Sequence, residues 1–184
     1  MPLIEKKITL DTFLLENEIN DLNLCDQLIE NLNSKLKEKN LKNITHVKGN
    51  MTSFDSFNKN KNFYTFLKLI KTDLKKVCGE NLVKLNDSWG NKFDKNSEHY
   101  TVEHNHVDCD GVCGILYLND CGPGTYFKQL DLTIKEKKGK YVLFSPVLLH
   151  EVKPFKYKQD RHVIVFNIGY FKKWEKYNQS IKIC

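Results

Sequence analysis

The hydrophobic pattern of the first part of the chain is helical. Apolar residues recur at three- and four-residue steps from Ile19 to Leu36 and again from Phe63 to Cys78. This spacing places them in one stripe along an α-helix, which can pack against a core. Between the two stripes, the segment THVKGNMTSFDSF (residues 45–57) predicts a strand and a loop. We therefore expect a largely helical part over about residues 1–80.

From about residue 82 the pattern changes to short extended runs. Residues that favour turns, such as Asn, Asp, Gly and Pro, separate these runs. The runs are LVKL, HYTVEHNHV, GVCGILYL, GTYF, LTI, KYVLFSPVLL, HEVKPF and RHVIVFNIGYF. Many short strands at close spacing are typical of a sandwich or barrel. The sequence thus predicts an α+β fold: a jelly-roll-like double sheet over about residues 82–170, an outer tail at 171–184, and a single domain over residues 1–184.

Composition narrows the class of protein. The net charge of +6 comes from lysines spread along the whole chain, which does not indicate a nucleic-acid-binding surface. We see no apolar run long enough for a signal peptide or a membrane span, so we expect a cytoplasmic protein without a membrane partner. The six cysteines are then expected to be thiols. Cys109, Cys113 and Cys121 cluster, but their spacing differs from that of paired zinc knuckles.

The stretch EHNHVDCDG (residues 103–111) carries the first candidate chemistry. On a strand, His106 and Asp108 would point to the same face, about 6–7 Å apart at the backbone. His150 follows at the edge of an apolar run. Two histidines and one carboxylate form the facial triad of non-haem Fe(II) oxygenases, which leaves metal positions open for a bidentate 2-oxo acid and dioxygen. His104 in a shifted register and Asp110 are the alternative ligands.

Arg161 is the second candidate. It is the only arginine among the 29 lysines and arginines of the chain. A guanidinium is a planar fork that grips a carboxylate with two hydrogen bonds and stays charged when partly buried. The remote carboxylate of a dicarboxylic 2-oxo acid needs such a fork. An ordinary surface ion pair is the other interpretation of this residue.

A family resemblance rests on two segments. HVDCDGVCGILYLNDCGPGTYF resembles the first half of the core motif of 2-oxoglutarate/Fe(II) dioxygenases of the prolyl 4-hydroxylase type, with H-x-D, Y-L-N and a Gly-rich turn before a threonine. GKYVLFSPVLLHEVKPF and RHVIVFN resemble its second half. HVKGNMTSFDSF and the tryptophan of NDSWGN are similar to segments of small bacteriophage-encoded dioxygenases. The resemblance covers about residues 45–170.

The resemblance implies a double-stranded β-helix (jelly-roll or cupin-like) core, with the N-terminal helices packed on one sheet. It implies that His106, Asp108 and His150 bind Fe(II), and that Arg161 and Tyr117 bind the far carboxylate of 2-oxoglutarate, with O2 as the second co-substrate. The usual G-G-x-T turn reads Gly122-Pro123-Gly124-Thr125 here. No substrate-binding loop can be matched, which leaves the substrate open.

The expected function is hydroxylation of a C–H bond, with a prolyl residue in a protein or peptide as the first candidate substrate and a small molecule as the alternative. A nucleic-acid demethylase on the same barrel typically uses a pair of arginines on the last core strand. Since this chain has one arginine, we expect no nucleic-acid partner. The alternative outside enzymes is a non-catalytic metal-binding jelly-roll module or a phage interaction protein.

Overall fold

The computed structural model describes residues 12–38, 46–79, 83–96 and 98–170. The predicted outer tail at 171–184 lies outside these ranges, and the single domain stays a prediction. The helices are α1 (Leu22–Lys37), α2 (Lys61–Leu69), α3 (Lys71–Cys78) and a 3-10 turn (Lys128–Leu130). The strands are β1 (Leu14–Glu18), β2 (Val47–Lys48), β3 (Asn50–Met51), β4 (Val83–Phe93), β5 (Glu98–His104), β6 (Gly111–Tyr117), β7 (Pro123–Phe127), β8 (Leu132–Lys135), β9 (Lys140–Phe144), β10 (His150–Lys156) and β11 (Arg161–Tyr170).

The strands form two sheets that face each other. One has the order β1-β9-β6-β11-β4-β3 and the other β2-β5-β10-β7-β8. All paired strands run antiparallel. The predicted α+β class and double-sheet core are confirmed. Each of the eight extended runs contributes to a strand, as expected.

Strand β11 contributes side chains to both cores, one between the helices and the six-stranded sheet and one between the two sheets. Its side chains alternate between the two faces of the six-stranded sheet, as the pleat requires. Ile164, Phe166 and Ile168 pack into the core beneath the helices. Val163 and Val165 face the core between the two sheets. A strand apolar on both faces is expected at the centre of a sheet covered on both sides.

The helices pack on the outer face of the six-stranded sheet, as predicted. α1 buries Leu24, Cys25, Leu28 and Leu32 in the core that also contains Phe166. Its first turn is capped by Asp21, whose carboxylate accepts a hydrogen bond from the backbone N–H of Leu24 at 3.2 Å. This packing leaves the other face of the sheet available to line an interior space.

Three local predictions differ from the structure. Strand β1 lies in the part expected to be helical. The run FLLENE has three apolar residues followed by three polar ones, which is too short a pattern to distinguish a strand from the start of a helix. The second apolar stripe forms two helices, broken at Ile70, whose ψ of 8° departs from helical geometry. Strand β4 continues through the polar segment NDSWGN to Phe93, where pairing with β11 and β3 supports it.

Among the residues that the structure describes, no helix has the length and apolar character needed to cross a bilayer.

Candidate metal centre

Three histidines meet in a cavity between the two sheets. One ring nitrogen from each of His104, His106 and His150 lies within 4.8 Å of the others. Strands β5 and β10 pair antiparallel with His104 directly opposite His150, which fixes two of the three positions. The third follows because the backbone N–H of His106 donates to the carbonyl of Pro146 at 2.9 Å. The pairing of β5 with β10 and the hydrogen bond that anchors the loop at His106 thus bring the three histidines together.

The hydrogen bonds of the rings leave nitrogen lone pairs for a ligand. Nδ1 of His104 is 2.8 Å from the carbonyl of Val102, and Nδ1 of His150 is 3.0 Å from that of Leu148. A carbonyl oxygen only accepts, so each Nδ1 carries the proton and each Nε2 has a free lone pair. Nε2 of His106 is buried without a hydrogen-bond partner among the described residues. Metal-binding histidines have this anchoring of the second nitrogen.

Burial keeps the imidazoles neutral. Desolvation lowers the pKa of His106 to about 4 and that of His150 to about 3, and neighbouring histidines add to both shifts. The pKa of His104 is also lowered, mainly by burial. Only a neutral imidazole can coordinate a metal ion. The donor set therefore fits a divalent transition metal at neutral pH, since imidazole suits iron, zinc, copper and nickel alike.

Asp108 lies apart from this group. Strand β5 ends at His104, and the next residues form a turn closed by a 2.7 Å hydrogen bond from the N–H of Cys109 to the carbonyl of His106. His106 and Asp108 therefore do not share a strand face, and Asp108 is exposed to solvent. Among the described residues the metal-competent group contains His104 instead. Asp108 as a ligand stays a prediction, as does Asp110, its neighbour in the loop.

Arg161 lines the same cavity as the histidines. It begins β11 and is 2 % exposed. Its Cζ lies 4.8 Å from the centre of the Phe93 ring and 5.9 Å from that of Tyr117. Its Nε donates to Oε1 of Glu136 at 2.5 Å. The arginine is thus a buried cation at the cavity wall, and its partner Glu136 was not foreseen from the sequence.

Tyr117 is fully buried, and its hydroxyl is 2.9 Å from Oγ1 of Thr125. Thr125 lines the cavity, so the tyrosine is one hydrogen bond removed from the interior space. Asn91 also lines it, and its Oδ1 is buried without a hydrogen-bond partner among the described residues. No sequence pattern indicates Asn91, because its place in the cavity follows from the register of β4 against β11.

An aromatic pair flanks the histidines. The Trp89 ring lies 6.3 Å from that of His106 and meets the ring of Phe54 edge-on at 5.1 Å. Trp89 is buried, whereas Phe54 is 46 % exposed. The pair therefore extends from the interior to the surface. The cavity itself is small, about 50 Å³.

Comparison with solved structures supports the fold. The chain is similar to a viral collagen prolyl hydroxylase of Paramecium bursaria Chlorella virus-1 in its 2-oxoglutarate complex, with a TM-score of 0.62, 17 % identity, and 84 % of this chain and 94 % of that one covered. It is also similar to a prolyl-4-hydroxylase of Pseudomonas putida, with a TM-score of 0.63, 12 % identity, and coverage of 86 % and 93 %.

A third similar structure is HygX of Streptomyces hygroscopicus with nickel and 2-oxoglutarate bound, with a TM-score of 0.63, 11 % identity, and coverage of 88 % and 85 %. No protein-family model and no curated protein sequence matches the chain. The expected likeness to prolyl 4-hydroxylases is confirmed at the level of the fold, a double-stranded β-helix.

Proposed function

We propose that this protein is an Fe(II)- and 2-oxoglutarate-dependent dioxygenase that hydroxylates a C–H bond. The observation that carries the proposal is the placing of three neutral histidines and one buried arginine in the same cavity of this fold. The three similar structures add support, because two are prolyl hydroxylases and two hold 2-oxoglutarate.

His106 and His150 hold the metal in this proposal. In the observed arrangement of side chains, His104 supplies the third nitrogen. Asp108 is the competing third ligand and requires the turn after His106 to bring its carboxylate inward. Bound iron with 2-oxoglutarate and O2 supplies the oxidising chemistry. The chain's own part is to orient both substrates and to keep water from the reacting atoms.

Arg161 binds the remote carboxylate of 2-oxoglutarate. Its guanidinium carries five N–H donors, of which Glu136 takes one, so a second carboxylate can still be gripped by the others. Tyr117 contributes through Thr125, to which its hydroxyl is hydrogen-bonded. The distance between the histidine end and the arginine end of the cavity then selects the length of the 2-oxo acid.

The substrate is proposed to be a prolyl residue in a protein or peptide. Trp89 contacts His106, and Phe54 contacts Trp89 and is partly exposed, so the two rings offer an aromatic surface beside the cavity. Such a surface suits a prolyl residue, since proline-rich segments dock in aromatic-lined grooves. A proline-rich peptide should therefore gain one oxygen atom, detected by mass spectrometry, whereas free proline should not. Hydroxylation of the free amino acid alone would contradict the peptide assignment.

Succinate formation tests the activity itself. The protein with added Fe(II), 2-oxoglutarate and O2 should release succinate, and His150→Ala should abolish both this turnover and tight binding of Mn(II). Leu148, whose carbonyl anchors the ring of His150, offers a control: Leu148→Val keeps the carbonyl and should keep the activity. Metal binding without 2-oxoglutarate binding would favour a non-catalytic metal-binding module.

A further inference from the structure

The cation assigned to the co-substrate already has a carboxylate partner. Glu136 follows strand β8, and its side chain is 1 % exposed, while that of Arg161 is 3 % exposed. Gly124 of β7 makes this possible, because a Cβ at that position would lie 2.7 Å from Cγ of Glu136. Among the described residues, Glu136 is the only ion-pair partner of Arg161. The pair is buried, and its net charge is zero.

The carboxylate of Glu136 is poorly stabilised apart from this one contact. Oε1 accepts from Nε of Arg161, and Oε2 is buried without a hydrogen-bond partner among the described residues. The other titratable groups facing it are the hydroxyls of Tyr117 and Tyr157 and the thiol of Cys121, and none of them is a cation. Burial raises the pKa of Glu136, and Arg161 only partly opposes this.

A second carboxylate on Arg161 changes the charge balance. A 2-oxo acid with a remote carboxylate would place two negative charges on one guanidinium in a buried site, which costs free energy unless one charge is neutralised. Glu136 can take up a proton from solvent, because it also borders a surface groove with Asp120 and Lys135. Once protonated, its hydroxyl becomes a donor for an incoming carboxylate.

We propose, on the basis of the function proposed above, that Glu136 determines co-substrate specificity: it competes for Arg161, so a dicarboxylic 2-oxo acid binds together with one proton on Glu136. Two consequences follow. First, the protein prefers 2-oxoglutarate over a monocarboxylic 2-oxo acid such as pyruvate by a smaller factor than it would if Arg161 had no carboxylate partner. Second, the affinity for 2-oxoglutarate falls as pH rises. The affinity for pyruvate does not fall in this way, because pyruvate has no remote carboxylate to place on Arg161.

Calorimetry of the Mn(II)-loaded protein tests the inference without any turnover. Titrations with 2-oxoglutarate in two buffers of different ionisation enthalpy should show uptake of about one proton, and the affinity should fall up to about tenfold per pH unit between about pH 6 and 8. Pyruvate, which does not reach Arg161, should bind without this proton uptake. It therefore serves as the control for protons that the histidines bind or release.

The variant Glu136→Gln keeps an oxygen for Nε of Arg161 and removes the charge. It should bind 2-oxoglutarate at least about tenfold more tightly at about pH 8, without proton uptake, and bind pyruvate within about twofold of the original protein. Asp73→Asn is the matched control. It neutralises a buried carboxylate that pairs with Tyr141 at 2.6 Å on the helix side of the sheet, and should change neither affinity.

The outcomes separate the two proposals. If neither 2-oxo acid binds the metal-loaded protein, the proposed function fails. If 2-oxoglutarate binds without proton uptake and with a level pH profile, the function stands and the role of Glu136 is overturned. Weaker 2-oxoglutarate binding by Glu136→Gln would also overturn it and would make Glu136 a positioning residue. The measurement of proton uptake uses the unaltered protein, so it tests the inference even if Glu136→Gln does not fold.

Discussion

The two ends of the cavity bury polar groups in opposite ways. At the histidine end, three neutral imidazoles present nitrogen lone pairs, and Nε2 of His106 has no hydrogen-bond partner among the described residues. At the other end, Arg161 is already paired with Glu136. A cation is thus needed to complete the first end, whereas a ligand at the second must compete with a carboxylate of the chain. The same cavity therefore offers free nitrogen ligands to a metal, whereas an acid can bind Arg161 only in competition with Glu136.

The largest expected effect lies at the histidine end. His104→Ala removes one of the three converging nitrogens and should weaken Mn(II) binding on the order of 100-fold. Calorimetry measures this, as does quenching of tryptophan fluorescence, to which Trp89 beside His106 contributes. Asp108→Ala should change it by less than about threefold, because its exposed carboxylate lies outside the group. The reverse ranking would establish the H-x-D triad expected from sequence and place His104 outside the metal's ligand set.

The next effect tests the arginine end. Arg161→Lys keeps the positive charge and loses the planar fork, so it should weaken 2-oxoglutarate binding by about 10- to 100-fold. Pyruvate and Mn(II) binding should stay within about twofold of the original, because both depend on the histidine end. An equal loss for pyruvate and 2-oxoglutarate would mean that Arg161 supports the cavity as a whole and does not contact the remote carboxylate.

A smaller effect concerns stability in acid. In the folded, metal-free protein the pKa of His106 is about 4 and that of His150 about 3, below the ordinary value of about 6.5. The unfolded chain then binds more protons than the folded one below about pH 6.5. The stabilising contribution is complete above that pH and is lost as pH falls to about 3, which urea unfolding curves recorded at several pH values should show.

A matched comparison checks the source of this acid effect. His150→Gln replaces the imidazole by a group that does not titrate, so its stability curve should slope less between about pH 6.5 and 4. His99→Gln serves as the control, because His99 lies at the far end of β5 from His104 and pairs with Phe155 rather than with the cavity histidines. Parallel slopes for all three proteins would show that the cavity histidines do not govern the acid response.

The architecture could be predicted because its signals are local. The nearly continuous apolar run RHVIVFNIGY is typical of a strand covered on both faces, and the stripe from Ile19 to Leu36 is typical of a helix with one apolar face. Each of these depends on residues a few positions apart, whose backbone periodicity fixes where their side chains point. The weaker signals, such as β1, were missed because a short run fits a strand and a helix equally well.

The sequence by itself determined the two-layer β core and the helices on one sheet. It also led to the prediction that His106, His150 and Arg161 share one site. Only the tertiary structure decided that β5 ends at His104 and a turn carries Asp108 toward solvent, so that a third histidine joins the group. It also decided that Glu136 meets Arg161, 25 positions away. The reason is physical: such contacts depend on strand register and turn geometry, which packing of the whole chain sets and no local pattern encodes.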